Sequence, residues 1–183
     1  MGNGSFSVDV SAVRDRARQR MNEGPVTDTY GKDRKRVIDV LNDVVATEVV
    51  CWLRYSQHAI AASGINSQQV ADEFTEHAEE ERKHMLRAAE RVSQLGGQPD
   101  MDPRSAVGRS HTEYRTYDEE DLTGMLRENL LAERIVITTY QEIIRWLGAD
   151  DPTTRTMLES ILSEEEEHAD DLVGLLGEDA ASG

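Results

Sequence analysis

Residues 163–172 read SEEEEHADDL, and this stretch places four consecutive glutamates immediately before His168. Apolar residues recur around it at steps of three and four, from Leu158 to Leu175, which is the spacing of an amphipathic helix. Glu165 and His168 belong to the same stripe, so they are predicted to face inward with the leucines. Burying such groups without partners costs on the order of several kcal/mol each, so the pattern predicts a ligand for them.

The same Glu-x-x-His pattern occurs a second time, at Glu81 and His84. Residues three apart project from one face of a helix, so each pair can bind one metal ion. A glutamate precedes each pair: Glu48 lies 33 residues before Glu81, and Glu133 lies 32 residues before Glu165. The chain is therefore predicted to be internally duplicated.

The repeat extends to a tyrosine seven residues after each preceding glutamate, Tyr55 after Glu48 and Tyr140 after Glu133. Seven residues are two helical turns, so tyrosine and glutamate share a face. Carboxylates with one imidazole per ion suit iron or manganese, whereas structural zinc favours thiolates, and we predict a dinuclear carboxylate site. In EEEEH only Glu165 shares the inward face of the histidine. The other three are expected on the cavity side or the solvated surface: Glu164, Glu166 and Glu167.

Four long helices follow from the apolar periodicity, and the absence of Val/Ile/Thr-rich alternating runs favours an all-α fold. The first helix follows EGPVTDTYG (residues 23–31) and ends near Gly64, and the second covers about 67–95. Residues 96–117 contain two prolines and no clear period. They are therefore predicted to be a long connection rather than an element.

The third helix is predicted to begin after a capping-box signature, Thr116 with Glu119, and to end at Gly148. The fourth starts with Asp151 as N-cap and Pro152 at its first position. Short links make two antiparallel hairpins, and about 22 connecting residues at about 3.3 Å each can span a helix of about 40 Å. The predicted architecture is a four-helix bundle with one long crossover between the second and third helices.

The net charge of −16 is unevenly distributed along the chain. Residues 1–36 carry eight Lys/Arg and five Asp/Glu, whereas the remainder carries twelve and thirty-one. The acidic body should repel nucleic acid and anionic membranes and attract cations. Only the N-terminal segment, with Arg14, Arg16, Arg18 and Arg20, could contact DNA phosphates, and its interleaved acidic residues favour a solvated tail instead.

No stretch approaches about 18 consecutive apolar residues, and the N-terminus lacks a basic start followed by an apolar run, so neither a membrane span nor a signal peptide is predicted. The single cysteine, Cys51, cannot form an internal disulfide, which fits a reducing compartment and a cytoplasmic location. The predicted organisation is a partly flexible N-terminal extension (1–33), the bundle (34–177) and a C-terminal tail (178–183).

Over about residues 34–177 the chain resembles the ferritin-like superfamily, most specifically the bacterioferritins. The di-iron ligands of that family fall on Glu48, Glu81, His84, Glu133, Glu165 and His168. Tyr55 matches the tyrosine beside the ferroxidase centre. The resemblance implies oxidation of Fe(II) by O2 or H2O2 at two iron ions per subunit, with Glu81 and Glu165 bridging. It also implies storage of the ferric product inside a homo-oligomeric shell.

The sequence departs from bacterioferritins at two places. Arg82 stands where their haem-ligating methionine follows the helix glutamate, so haem is not expected. Only fifteen residues follow His168, too few for the fifth helix of a twenty-four-subunit shell, so the twelve-subunit shell of Dps-like mini-ferritins is favoured. A Dps-like subgroup with the bacterioferritin type of site has a cysteine pair near its metals, whereas Cys51 is alone.

Three other functions are alternatives. One is a Dps-like shell that binds DNA through the basic tail and detoxifies peroxide, and another is a manganese catalase, which shares the bundle and ligand types in a typically longer chain. The third is a purely structural bundle whose carboxylates meet buried arginines, for which too few inward arginines occur. Iron against manganese stays open. His77, four residues before Glu81, is either a guide for iron or a hydrogen-bonded core histidine.

Overall fold

The computed structural model describes residues 6–65, 67–118 and 121–182, with side chains described up to Gly177. This described part contains six helices and no strand, which confirms the all-α class. The helices are α1 (Val10–Gln19), α2 (Arg34–Ala61), α3 (Ser67–Gln94), α4 (Pro103–Arg109), α5 (Leu122–Leu147) and α6 (Pro152–Ser182). The four predicted long helices are α2, α3, α5 and α6.

Aspartate caps set where the long helices begin. The Asp33 carboxylate accepts the backbone N–H of Arg36 at 3.2 Å at the start of α2. At the start of α6, Asp151 accepts the N–H of Thr154 at 2.9 Å and Pro152 occupies the first position, as predicted. The bounds of α3 agree with the predicted 67–95 to within one residue.

The segment 96–117 was predicted to lack an element, and this prediction was wrong, because α4 lies within it. Asp102 caps α4 by accepting the N–H of Arg104 at 3.0 Å, and Pro103 follows at the first helical position. This pair satisfies one free backbone N–H and removes another, so it can start even a short helix. Ala106 of α4 is 1% exposed and joins the main hydrophobic core.

The helix α5 begins later than predicted, at Leu122. Its N-cap is Asp121, whose carboxylate accepts the N–H of Gly124 at 2.8 Å. Of the expected capping box, Thr116 lies outside any helix and Glu119 lies outside the described residues. At the other end of the chain, α6 continues to Ser182 rather than stopping at residue 177.

Two antiparallel hairpins make the bundle, and their links are short. The most extensive helix contacts are those of α2 with α3 and of α5 with α6, while α2 with α5 and α3 with α6 join the hairpins. Gly64 in the first link has φ +99° and Gly148 at the end of α5 has φ +55°, backbone conformations that glycine adopts without the clash of a Cβ. In the described residues no helix is both long and apolar enough to cross a membrane.

The hydrophobic core is divided into two clusters along the bundle axis. One contains Leu41 of α2, Val92 of α3 and Leu158 of α6. The other contains Phe74 of α3 and Leu172 of α6, nearer the link between α2 and α3. The predicted charged stripe residues lie between these two clusters in every long helix. The apolar clusters therefore exclude water from a polar layer in the middle of the bundle.

The residues before α2 contact the link between α5 and α6. The Tyr30 hydroxyl donates to Asp151 at 2.7 Å, and Lys32 forms an ion pair with Asp150 at 3.2 Å. Val26 packs against the larger core cluster, whereas α1 has no buried residue. Residues 26–32 are thus attached to the bundle, while the partly flexible character of the extension stays a prediction.

Candidate metal centre

All six predicted ligands lie together in the polar layer. They come from the four long helices: Glu48 from α2, Glu81 and His84 from α3, Glu133 from α5, and Glu165 and His168 from α6. Five of them are 0% exposed and His168 is 2% exposed. Helical periodicity directs these polar residues into the bundle. They lie at the same height because the four helices pack side by side along their lengths.

The six residues form two overlapping groups that could each hold one ion. One group is Glu48, Glu81, His84 and Glu165, and the other is Glu81, Glu133, Glu165 and His168, with donor atoms all within 4.8 Å of one another in each group. Glu81 and Glu165 belong to both groups. A carboxylate shared in this way can give one oxygen to each of two ions, which is the geometry that bridging requires.

Both histidines turn the same ring nitrogen toward the cluster. Nδ1 of His84 lies 3.1 Å from Glu165, and Nδ1 of His168 lies 3.4 Å from Glu165. Their Nε2 atoms contact other carboxylates, Glu164 at 2.8 Å and Glu80 at 2.7 Å respectively. An Nε2–H bound to a carboxylate leaves the Nδ1 lone pair free for a metal, so these contacts fix the ligating tautomer.

Several buried atoms of the cluster have no hydrogen-bond partner in the described part of the chain. They are Glu48 Oε2, both carboxylate oxygens of Glu81, Glu133 Oε2, Glu165 Oε2 and His168 Nδ1. Buried polar atoms in folded proteins are nearly always paired, and an unpaired carboxylate oxygen is among the most costly. Cations between these oxygens would satisfy them all at once, so the donor set fits metal ions on geometry as well as on chemistry.

The two tyrosines of the sequence repeat hydrogen-bond to the cluster. Tyr55 of α2 donates to Glu133, and Tyr140 of α5 donates to Glu48. Both rings are 0% exposed. Each tyrosine thus occupies one lone pair of a terminal carboxylate and directs the other oxygen inward. The hydrogen bonds cross between the hairpins, in agreement with the duplication that the sequence predicted.

Crowding of buried carboxylates shifts their pKa values. Burial, followed by the neighbouring carboxylates, raises the pKa of Glu48 and of Glu81 well above the usual range. Burial and the charge of Glu165 raise the pKa of Glu133 to about 8. Glu133 therefore holds a proton near neutral pH without a metal, and a divalent cation would displace that proton.

The histidines and the central Glu165 have the opposite charge preference. Burial disfavours the imidazolium form, but the Glu165 carboxylate beside both rings raises the pKa of His84 and of His168 to about 9. Burial also opposes ionisation of Glu165, yet the two adjacent histidines lower its pKa overall. In the metal-free cluster, protons on the histidines and on the glutamates around Glu165 therefore offset the buried negative charge.

Two functional side chains escaped the sequence analysis. Glu164 was expected on the cavity side or the solvated surface, but it is half-buried and contacts Nε2 of His84. Glu80 makes the equivalent contact with His168. The reason is that each Nε2 points outward from the cluster, within reach of the residue before the inward glutamate. A usable signal existed, since both motifs read Glu-Glu-x-x-His.

His77 is neither exposed nor hydrogen-bonded. Its ring stacks on His168 with 4.0 Å between centroids and meets the edge of Tyr55 at 5.2 Å. It is 1% exposed, and in the described part of the chain neither ring nitrogen has a hydrogen-bond partner. The expectation of a hydrogen-bonded core histidine was therefore wrong.

The family comparison identifies a ferritin-like domain over residues 38–181. Among solved structures, a dodecameric thioferritin, the bacterioferritin-related protein from Bacteroides fragilis, is 35% identical with a TM-score of 0.79. That match covers 83% of this chain and 90% of that chain. A Dps protein from Bacillus brevis superposes with a TM-score of 0.74 at 24% identity, covering 78% and 96% of the two chains.

A curated relative agrees with these structural matches. The DNA protection during starvation protein of Pyrococcus furiosus is 26% identical over 139 residues, which are 75% of each protein. The family match, residues 38–181, spans nearly the whole of the four long helices and contains the six residues of the candidate centre.

Proposed function

Because this chain belongs to the ferritin-like family, we propose that it is a ferroxidase that oxidises Fe(II) for iron storage and protection against oxidative stress. The observation that carries the proposal is the set of unpartnered, fully buried carboxylate oxygens between the two core clusters. A structural role would leave these oxygens unsatisfied at a cost of roughly 1–3 kcal/mol or more each. Binding of substrate cations removes that cost.

The roles of the six residues follow from their positions. Glu48, Glu81 and His84 would hold one Fe(II), and Glu133, Glu165 and His168 the other. Glu81 and Glu165 would bridge the two ions. Glu164 and Glu80 keep Nδ1 of the histidines directed inward, while Tyr140 and Tyr55 orient the terminal carboxylates.

The reaction needs two electrons, which explains a paired site. Each Fe(II) gives up one electron, so that two ions and two protons reduce one H2O2 to two water molecules, or one O2 to H2O2. The buried carboxylates balance the charge gained by the ions. Reduction of O2 beyond H2O2 needs more than two electrons, and Tyr55, hydrogen-bonded to Glu133, is placed to supply a third.

The decisive experiment removes one bridging carboxylate. Glu81→Ala should abolish rapid Fe(II) oxidation, measured by stopped-flow absorbance after adding two equivalents of Fe(II) per chain under air or with peroxide. Glu90→Ala, an exposed glutamate on the same helix, is the matched control and should oxidise at the wild-type rate. If Glu81→Ala oxidised Fe(II) at the wild-type rate while both variants kept their helical content, the assignment of the ferroxidase site would be refuted.

The same measurement tests the metal and the oxidant. A faster reaction with peroxide than with O2 would indicate Dps-like behaviour, and the reverse would indicate bacterioferritin-like behaviour. Bound manganese with catalase turnover, and no iron oxidation, would instead assign the chain to the manganese catalases. The acidic body of the chain, with twelve Lys/Arg against thirty-one Asp/Glu after residue 36, favours accumulation of Fe(II) near the protein under either oxidant.

We also propose a twelve-subunit shell. The Bacteroides fragilis relative is described as dodecameric. Ile60 and Ile65, at the link between α2 and α3, are 88% and 90% exposed, and burying these two side chains against a neighbouring chain would favour assembly. Light scattering should give a particle of about twelve chain masses. A particle twice that mass would favour the twenty-four-subunit shell, and the cytoplasmic location stays a prediction.

DNA association is the second candidate function, since α1 carries exposed arginines and the curated relative is a DNA protection protein. Three of the four arginines are paired with acids: Arg16 with Asp28, Arg18 with Asp15 and Arg20 with Glu23. These ion pairs weaken any attraction to phosphates. Deleting residues 1–22 keeps the contacts of Tyr30 and Lys32 intact. A gel shift that survives this deletion would exclude binding through α1.

A further inference from the structure

A third group of metal-ligating side chains lies outside the six residues of the candidate centre. It consists of Glu73 and His77 of α3 and Asp171 of α6, with donor atoms all within 4.8 Å of one another. Glu73 and His77 are four residues apart, so they share one helical face, and Asp171 reaches them from the other hairpin. The group therefore closes the interface between α3 and α6 at the end of the polar layer.

His77 supplies independent support, because its imidazole is buried without a hydrogen bond. Nε2 lies 3.2 Å from Glu73 and 3.7 Å from Asp171, but neither contact has hydrogen-bonding geometry. Stacking on His168 holds the ring in a plane that aims Nε2 between the two carboxylates. A buried imidazole in this state lacks a partner, and a cation at that point would provide it.

The distances fit coordination better than they fit direct pairing. Ligand atoms about 2.0–2.2 Å from one ion lie roughly 3–3.5 Å from each other. The 3.2 Å contact of His77 with Glu73 is in this range, and the 3.7 Å contact with Asp171 requires only a small side-chain adjustment. Two carboxylates and one imidazole leave further positions open for water, which suits a site that exchanges its ion.

Exposure decreases in steps from solvent to the centre. The side chain of Asp171 is 55% exposed, that of Glu73 is 28% exposed and that of His77 only 2%. Asp171 also borders an open groove whose other lining residues are acidic apart from one serine: Ser163, Glu166, Glu167 and Asp170. The groove attracts cations, and the three residues lie between it and His168.

We propose that Glu73, His77 and Asp171 form a third metal site, which takes up Fe(II) from the acidic groove before it reaches the buried pair. The proposal that this site binds a divalent cation stands on its own geometry. Its role as an entry site rests on the proposed ferroxidase function. The site would hold a single ion, whereas the oxidation balances with two, so the ion would remain Fe(II) there.

Zinc(II) is the probe, because it binds the same donors without being oxidised. Crystals soaked in Zn(II) and measured at the zinc absorption edge should show three anomalous peaks per chain, one of them among Glu73, His77 and Asp171. Asp171→Asn and, separately, His77→Gln should lose that peak and keep the buried ones. Asp170→Asn removes the same charge one residue away and should retain all three.

The third site and the buried ferroxidase pair can be tested separately. Glu81→Ala should lose buried zinc yet keep the outer peak, which would show that the third site does not depend on the pair. In solution, Asp171→Asn should lower kcat/KM for Fe(II) several-fold with kcat unchanged. A wild-type crystal without the outer peak, or an outer peak that survives both Asp171→Asn and His77→Gln, would overturn the third site.

Discussion

Two buried polar assemblies lie in this bundle, and they differ in how completely they pair their own atoms. Arg54, 0% exposed, donates from Nε to Asn129 at 2.8 Å and from Nη1 to the Glu113 carbonyl at 2.9 Å. Asn129 in turn donates to His58 at 3.1 Å, and His58 donates to the Arg115 carbonyl. We call these residues the Arg54 network. It attaches the crossover to α2 and α5 using only protein partners.

The metal-centre cluster, on the same helices, leaves several buried oxygens unpaired instead. Both assemblies bury charge, so burial alone does not distinguish structure from function. The distinguishing observation is whether the buried polar atoms have hydrogen-bond partners within the protein. A fully paired network stabilises the fold, whereas unpaired buried atoms indicate a ligand site. The structural-bundle alternative requires buried arginines that pair with the carboxylates, but the Arg54 guanidinium hydrogen-bonds to no cluster carboxylate in the described residues.

The largest effect should come from breaking the Arg54 network. Arg54→Ala leaves Asn129 and the Glu113 carbonyl without their donor and opens a cavity, so the free energy of unfolding should fall by about 3–5 kcal/mol. Chemical denaturation of the metal-free protein measures this. The control is Arg82→Ala, which removes an exposed ion pair with Glu79 and should cost no more than about 1 kcal/mol. Equal losses in the two variants would contradict the comparison.

The cluster should behave in the opposite way. Glu81→Gln removes one crowded carboxylate, so the metal-free variant should be at least as stable as the wild type. Mn(II) at 100 times its Kd should stabilise the wild type by about 2.7 kcal/mol per site. It should have much less effect on Glu81→Gln. A large loss of stability in metal-free Glu81→Gln would mean that the cluster is structural after all.

A pH titration separates the two assemblies by a smaller amount. Burial, with the charge of Arg54, lowers the pKa of His58 to about 4. Between about pH 6.5 and 4 the unfolded chain therefore binds a proton that the folded protein does not, so stability falls as the pH falls. From pH 7 to 5 this contributes about 1–2 kcal/mol. His58→Gln should flatten the pH dependence by that amount, and an unchanged slope would refute it.

The smallest effect should come from the carboxylates behind the histidines. Glu164→Gln removes a charged acceptor from Nε2 of His84 but no ligand, so Mn(II) affinity should weaken by roughly tenfold. Glu159→Gln, one turn earlier on α6 and partnered only by Arg155 among the described residues, is the matched control. If both variants bind Mn(II) alike, Glu164 does not orient the histidine.

The sequence predicted the cluster residues and their level in the bundle because helical periodicity is local. Glu48 and Glu133 could be placed by counting helical turns, and the internal duplication gave the same placement independently. Contacts made across the bundle were less accessible. Arg54 lies three residues after Cys51 on a helix whose outer positions also carry arginines, and only the crossover, folded over it, supplies its acceptors. The helix α4 was likewise missed, because the prolines of the crossover favour an irregular connection, whereas Pro103 occupies the first helical position.

The contacts of Glu164 and Glu80 were not predicted, for a similar reason. The repeated Glu-Glu-x-x-His pattern marks Glu164 and Glu80, but each contacts the histidine of the other hairpin, and a pattern within one helix does not show that partner. His77 was left between two roles because its lack of a hydrogen bond depends on what α6 places opposite it.

The exchange of contacts between the hairpins has a consequence for assembly. The hairpin of α2 and α3 holds Glu48, Glu81 and His84, and that of α5 and α6 holds Glu133, Glu165 and His168. Neither half contains a complete group, so metal binding would strengthen docking of the two halves. A chain cut within the crossover would then behave as a split protein whose two fragments are reunited by the ions they share.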